Sequence, residues 1–264
     1  MALITITSDY GTTDPYLPAL KGALFGAAEG HLITDLSNHI EPGNFFQAAF
    51  ILRNSYASFP KGTVHLVAFG EISANRKPIG AELDGQFFLL ADNRLLGMIN
   101  PGKKIQRAVE IDLQSTDTLF PSHDILARSA AFLANGGKLE VLGRQVNKIE
   151  QKTLPRPRIA SDKSSILGTV MYIDNFGNLI SNITRRQFRE VGQERQFTIL
   201  LPRNQRIRHL HKHYHEVAVG NILALFNSLD LLEIALSGAR GKDFNGANSL
   251  LGVEVQNSIT VEFS

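Results

Sequence analysis

Three polar clusters stand directly behind apolar runs, the places where strands of an α/β fold deliver ligand-binding groups. The first is Ser8-Asp9-Tyr10-Gly11-Thr12-Thr13-Asp14, after the run Leu3–Thr7. A carboxylate at a strand's C-terminal end, beside a glycine turn, is placed to accept two hydrogen bonds from a ribose diol. Taken alone, Asp9 is more plainly a turn cap, with Asp14 capping the helix that follows. The second cluster is Ile173-Asp174-Asn175-Phe176-Gly177-Asn178-Leu179-Ile180-Ser181-Asn182. Phe176 offers a stacking face and Asn178 an amide, the pair a flat base such as adenine requires. A β-bulge with Asn175-Phe176-Gly177 as its turn accounts for the same residues. The third is Ala224-Leu225-Phe226-Asn227-Ser228-Leu229-Asp230-Leu231-Leu232-Glu233, a strand–turn–strand pattern. Asn227, Ser228 and Glu233 combine donors with a carboxylate, as an amino-acid zwitterion demands. By itself a surface hairpin is the plainer reading.

Other chemistries are missing. No Gly-x-Gly-x-x-Gly follows the first strand, and Gly136-Gly137-Lys138-Leu139 lacks both the upstream glycine and the Ser/Thr of a phosphate loop. No Gly-x-Ser-x-Gly elbow is present. His209, His211, His213 and His215 would share one face of a strand over Ile207–Tyr214. Such a stripe suits a transition metal, yet i, i+2 side chains on a flat strand splay apart. The stretch is read as an exposed strand face in a basic region with Arg203, Arg206 and Arg208, and no metal is expected.

The elements that must position these clusters fall into two sets. The first 150 residues alternate strand-like and helix-like runs. Leu3–Thr7 leads through Asp14-Pro15, an N-cap and a first-turn proline, into a helix ending near Ala27. Leu32–Leu36 reads as a strand, Asn44–Tyr56 as an amphipathic helix and Thr63–Ala68 as a strand. Phe87–Leu90 leads through Ala91-Asp92-Asn93 into a short helix, and His123–Leu133 is a helix closed by Gly136-Gly137. This predicts an α/β domain over 1–150, a mixed but largely parallel sheet with helices on both faces. Residues 151–165, with Pro155 and Pro157, read as a linker. Residues 166–264 carry short strands at Ile166–Ile173, Phe197–Leu200, Ile207–Tyr214, Ile222–Phe226, Leu231–Leu236 and Ser258–Phe263. Thr184–Val191 alone looks helical. That predicts a small β-barrel or sandwich.

Composition is that of an ordinary globular chain, 43% hydrophobic and 20% charged over 264 residues. There is no cysteine, which removes disulfides and thiolate metal sites. Residues 1–155 carry 14 basic and 15 acidic side chains, and 156–264 carry 13 and 10. Neither half calls for a nucleic-acid partner. No apolar run is long enough for a membrane span and the N-terminus reads as a strand, so a cytoplasmic protein is expected.

Taken in order, the clusters resemble the S-adenosylmethionine (SAM) hydroxide adenosyltransferase family, water-using relatives of the bacterial fluorinase and chlorinase. The resemblance runs from Thr7-Ser8-Asp9-Tyr10-Gly11, Asp14 and Lys21-Gly22 through Phe59-Pro60-Lys61-Gly62-Thr63-Val64-His65 and Ala91-Asp92-Asn93. It continues through Asp174-Asn175-Phe176-Gly177-Asn178-Leu179 to Asn227-Ser228-Leu229-Asp230-Leu231-Leu232-Glu233-Ile234-Ala235. The resemblance implies a homotrimer, with ligand between one subunit's N-terminal domain and a neighbour's C-terminal domain. Asp9 would hold the ribose hydroxyls, and Phe120 and Ser122 would line the ribose and C5′ side. Phe176 and Asn178 would contact adenine, with Asp174, Asn227, Ser228 and Glu233 around the methionine end. SAM would be substrate or ligand, and no cofactor is implied.

Family hydrolases activate water with an Asp, an Arg seven residues later and a distant His. Here those positions are Phe69, Arg76 and Pro121. Glu71 and His123, each two residues along from a lost position, are the substitute candidates beside Arg76. The resemblance therefore implies cleavage of SAM at C5′ by water to adenosine and L-methionine, at a low rate. The alternative is a SAM- or adenosine-binding protein without efficient hydrolysis.

Overall fold

A computed structural model describes residues 1–70, 77–91, 95–100, 105–112, 118–146 and 153–264. The chain divides into two compact units, Met1–Leu154 and Pro155–Ser264.

The first unit contains β1 (Leu3–Ser8), α1 (Tyr16–Ala27), β2 (Leu32–Ser37), α2 (Phe45–Ser55), β3 (Val64–Ala68), β4 (Pro78–Leu83) and β5 (Gln86–Ala91). It continues with α3 (Leu95–Ile99), β6 (Arg107–Ile111), α4 (Ala127–Ala134) and β7 (Gly143–Gln145). Its seven-stranded sheet has the order β2-β1-β3-β5-β4-β6-β7. β1 lies between its parallel partners β2 and β3, and β3 pairs parallel with β5. The remaining pairings, β4 with β5, β4 with β6 and β6 with β7, are antiparallel. The sheet is thus half antiparallel, less parallel than the alternation of elements implies. The cause is a hairpin at Asp84-Gly85, both at positive φ (53° and 76°), a two-residue turn whose twist matches its strands.

Alternation along the strands sends residues to two covered faces. Ile4, Ile6, Val64, Leu66 and Leu89 join one core with Leu17, Leu20 and Leu24 of α1 and with α4. On the other face His65 stacks on Phe88 and Tyr56 meets both rings. His65 is fully buried yet satisfied. Its Nδ1 is 2.7 Å from Thr5 Oγ1 and its Nε2 2.5 Å from Gln86 Oε1. Gln86 donates its own amide N–H to Phe59 O, which turns Oε1 toward the ring and makes Nε2 the protonated nitrogen. Burial pushes this imidazole's pKa down to about 4. Helix α1 opens at Tyr16 with Pro15 at the cap and no side-chain capping bond, so Asp14 is not the cap expected from the sequence. The proline itself sets the entry φ. Asn44 does cap α2, accepting from Gln47 N.

The second unit contains β8 (Arg158–Ile159), β9 (Ser165–Ile173), β10 (Leu179–Thr184), α5 (Arg185–Gly192), β11 (Phe197–Leu200), β12 (Arg206–Ile207) and β13 (Leu210–His211). Then come β14 (Ile222–Phe226), β15 (Leu231–Leu236), α6 (Ala247–Leu251) and β16 (Ser258–Phe263). Its sheet runs β12-β11-β16-β9-β10-β15-β14-β13, with β8 on β9. Inward side chains of β9, β10, β11, β14, β15 and β16 meet in one core with Phe188 and Val191 of α5. The edge strands β12 and β13 are separated by Arg208-His209 alone, so the edges end within about 11 Å of each other. The sheet curls almost into a barrel. Strand Ile207–Tyr214 does not exist as expected. The chain leaves β13 after His211 and folds into a 3₁₀ turn at Tyr214–Glu216, so the four histidines share no single strand face. Glu216 forces the turn by accepting backbone N–H bonds from Lys212 and His213. Among the described residues, no helix is long and apolar enough to cross a membrane.

Candidate functional site

In the first unit, β1 feeds α1 on one side of the sheet and α2 returns the chain to β3 on the other. The crevice between the C-terminal ends of β1 and β3 is therefore a point where strand order reverses, the usual ligand position in open α/β sheets. Asp9 follows β1 there and Gly70 follows β3. Ser8 donates to Asn38 Oδ1 at 2.7 Å and Gly11 N to Asn38 O at 2.7 Å, which fixes the turn that presents Asp9.

An open cavity of about 760 Å³ occupies this crevice, lined by Asp9, Tyr10, Tyr16, Phe45, Gly70, Phe120, Pro121 and Ser122 among others. Burial raises the Asp9 carboxyl pKa, while backbone N–H bonds from its own residue and Gly70 pull it back down. Tyr10, Tyr16 and Phe120 form an aromatic trio, with centroids 5.7–6.1 Å apart. Burial raises the Tyr10 hydroxyl pKa, and the neighbouring Ser122 side chain lowers it in part. Ser122 is buried and opens a single π-helical turn, Ser122–Leu126, ahead of α4. Such turns widen a helix by one residue and recur at functional sites.

His123 lies outside this lining. Its ring stacks on Phe120 at 5.5 Å, and its Nδ1 is 2.8 Å from Asp124 Oδ1. Asp124 sits below the usual carboxylate range because the Thr118 hydroxyl and then His123 hydrogen-bond it. A ring donating from Nδ1 keeps an acceptor lone pair on Nε2. Phe69 is 1% exposed, edge-on to Phe45 at 5.0 Å, and Pro121 caps the π turn. Glu71 and Arg76, with Asp92 and Asn93, lie outside the described residues.

The polar residues of the second unit form two linked knots. Asp174 Oδ1 accepts from Phe176 N and Asn178 N, and Oδ2 from the Asn178 side chain, all at 2.9 Å. Asn178 is buried by this arrangement, while Phe176 is left 60% exposed. Gly177 is required. Its φ is +79°, and a Cβ would sit 2.6 Å from Gly246 Cα. Glu233 is 2% exposed and takes the Tyr214 hydroxyl and the Asn227 side-chain amide, each at 2.9 Å. Burial raises the Glu233 carboxyl pKa; the bonds from Asn227 and Tyr214 lower it, and the charge of Asp174 adds to the rise. Asn227 Oδ1 accepts Leu229 N and Leu231 N, closing the β14–β15 hairpin in which Asp230 has φ +57°. Ser228 is exposed at that turn.

Three residues with no role in the sequence reading belong to these groups. Tyr10 and Tyr16 line the same cavity as Asp9, and two tyrosines close behind that carboxylate in the chain are the signal the sequence offers. Tyr214 was hidden inside the histidine-rich stretch, and its partner Glu233 is 19 positions away.

A family model for the SAM hydroxide adenosyltransferase N-terminal domain matches residues 4–143, and one for the C-terminal domain matches residues 168–260. The (R)-S-adenosyl-L-methionine hydrolase of Methanocaldococcus jannaschii is 27% identical, over 98% of this chain and 95% of its own length. The hydrolase of the same name from Thermus thermophilus is 27% identical over 93% and 96%. The fluorinase of Actinopolyspora mzabensis is 24% identical over 72% and 74%. Among solved structures, an uncharacterized conserved protein from Thermotoga maritima superposes with a TM-score of 0.86 at 24% identity, covering 98% and 99% of the two chains.

Proposed function

The chain belongs to the SAM hydroxide adenosyltransferase family, and from that premise we propose that it binds SAM and cleaves it slowly at C5′ with water. One observation carries the reading: Asp9 stands in the wall of an open cavity at the strand-order reversal, with Tyr10, Phe120 and Ser122 around it. A carboxylate there accepts both hydroxyls of a ribose, and Phe120 and Ser122 face the C5′ side. Phe176 and Asn178 serve adenine. Asp174 already accepts three hydrogen bonds, which leaves acceptor capacity for the methionine ammonium. Asn227, Ser228 and Glu233 complete that end. The resemblance supports a homotrimer in which two neighbouring subunits share each ligand.

In the reaction the water oxygen bonds C5′ as the C5′–S bond breaks, the sulfur keeps the electron pair, and the water proton passes to a base or to solvent. A sulfonium needs no acid to leave, so the protein's task is to desolvate, orient and deprotonate the water. Arg76, Glu71 and His123 are the groups proposed for this. The second reading, binding without efficient hydrolysis, is favoured by Phe69 and Pro121. A buried phenyl ring and a proline ring can neither orient water nor take its proton.

Incubation of the purified protein with SAM, followed by chromatography for adenosine and methionine, tests the first reading. Loss of a positioned proton-transfer group removes a factor of about 10²–10⁴, and groups acting together do not add. Turnover should therefore fall well below about 1 s⁻¹ with binding intact. No product, with a thermal shift from SAM or adenosine, selects the second reading. No product and no shift rejects both.

A further inference from the structure

The open seam of the second unit's sheet gathers donors that neither reading uses. Among the described residues β13 pairs on one side only, parallel to β14 through Leu210–Ala224 and His211–Leu225. His209 stands in the two-residue gap between the edges, and the turn after β13 folds Glu216 back toward it. As a result a ring nitrogen of His209, one of His211 and a carboxylate oxygen of Glu216 all lie within 4.8 Å of one another. The two imidazoles cross edge to face at 4.8 Å. His211 Nδ1 is buried with no hydrogen-bond partner among the described residues. An orphaned buried nitrogen is costly unless something binds it.

We propose that His209, His211 and Glu216 form a binding site for one first-row divalent transition ion such as Zn²⁺. Two imidazoles and a carboxylate are the ligand set such ions favour, with water completing the shell. Ligand bonds of about 2.0–2.2 Å require donors within about 4.4 Å. A small rotation of the exposed His209 ring supplies the closure. Glu216 keeps one oxygen for the ion while Oε1 holds the two backbone N–H groups of the turn. The ion would clip the seam and stiffen the turn that carries Tyr214, whose hydroxyl donates to Glu233. His213 and His215 stack on each other at 5.4 Å and, among the described residues, belong to no such triad. This separates the site from a generic histidine stripe.

The test uses the full chain without an affinity tag, stripped with a chelator, titrated with Zn²⁺ by calorimetry and with Co²⁺ by visible absorption. The expected result is one saturating equivalent at about 10 µM or tighter, with Co²⁺ d–d bands displaced by Zn²⁺. His211→Ala and Glu216→Gln remove ligands themselves, so each should weaken binding by more than the roughly 10–100-fold that loss of an outer-shell partner costs, whereas His213→Ala and His215→Ala should stay near wild type. Glu216→Gln keeps an acceptor for the turn. His209→Asn changes an exposed residue, so it reads the site even if His211→Ala unfolds. Zn²⁺ should raise the melting temperature of the wild type but not of His209→Asn. Absence of saturable binding, binding that survives His209→Asn, or equal losses from His213→Ala would overturn the proposal.

Discussion

The two polar groups differ in what holds them. In the first unit Asp9 faces an open cavity and is steadied mainly by backbone N–H groups. In the second, Asp174, Asn178, Asn227, Tyr214 and Glu233 are largely satisfied by one another and by the turns they close. Residue type does not tell these situations apart. A carboxylate committed to its own loop makes the loop. A carboxylate left at a cavity wall carries a desolvation cost that only a ligand or water can offset. Ligand affinity should therefore be concentrated at Asp9 and fold stability at Glu233.

The strongest way to break this comparison is Glu233→Leu. It strands the Tyr214 hydroxyl and the Asn227 amide around a nearly fully buried position. Each unsatisfied group costs about 1–3 kcal/mol, so urea denaturation should show a loss of roughly 2–5 kcal/mol. Asp9→Ala measured alongside should cost far less, since the desolvation it relieves offsets the backbone N–H bonds it gives up. Equal losses would erase the distinction.

Acid provides the next largest effect. His65 is neutral when folded, with its pKa near 4 against an ordinary value of 6.5. Its contribution is complete above pH 6.5 and is lost as pH falls toward 4, because the unfolded chain takes the proton first. The shift corresponds to about 3 kcal/mol. Asp9 and Glu233, both raised by burial, act in the opposite sense, gaining stability as pH falls. Their presence makes the difference between wild type and His65→Gln the diagnostic quantity. Denaturation at pH 7.5 and pH 4.5 should show a steeper loss for the wild type, and parallel losses would remove His65 as the cause.

Much of this architecture was legible from periodicity. The runs that became β1, β3, β9, β14, β15 and β16 are apolar enough, and the helices α1, α2 and α5 amphipathic enough, to be read directly. β4 and β6 were not, although Asp84-Gly85 between two apolar runs is a strong hairpin signal. Missing it made the sheet look more parallel than it is. α6 is too short to show a period. The histidine stretch misled because alternation over 209–215 fits a strand, whereas the turn depends on one carboxylate, that of Glu216, reaching back to two backbone donors. Asp9, Phe176 and Glu233 could be named from their flanking turns, but not which were already bonded. That is fixed by long-range register such as Ile180 opposite Glu233.

Within the ligand reading, Asp9→Ala should produce the largest affinity change. Two charge-assisted hydrogen bonds to a diol contribute about 1.5–3 kcal/mol each at most, and residual water recovers part of that. Adenosine affinity by calorimetry should fall by roughly 100-fold, and Asp9→Asn, which keeps one acceptor oxygen, by about 10-fold. An Asp9→Ala protein that binds adenosine like the wild type would place the ribose elsewhere.

Phe176 gives the smallest effect and the cleanest discrimination between stability and recognition. Asp174 and Asn178 fold the loop, Gly177 packs against Gly246, and the phenyl ring between them is left 60% exposed. An exposed ring held by so many internal bonds contributes little to the fold, so Phe176→Ala should leave the melting temperature nearly unchanged. Gly177→Ala should lower it, since φ is +79° and the added carbon meets backbone. If the ring stacks on adenine, Phe176→Ala removes one face worth about 0.5–1.5 kcal/mol, a loss of roughly 2–13-fold in affinity for adenosine. Phe176→Tyr should restore it and Phe176→Leu should fall between. Methionine alone has no ring to stack, so its binding should not respond to any of these changes. Affinity for adenosine indifferent to the aromatic character of residue 176 would show that the loop only folds, and that the base is read by another surface.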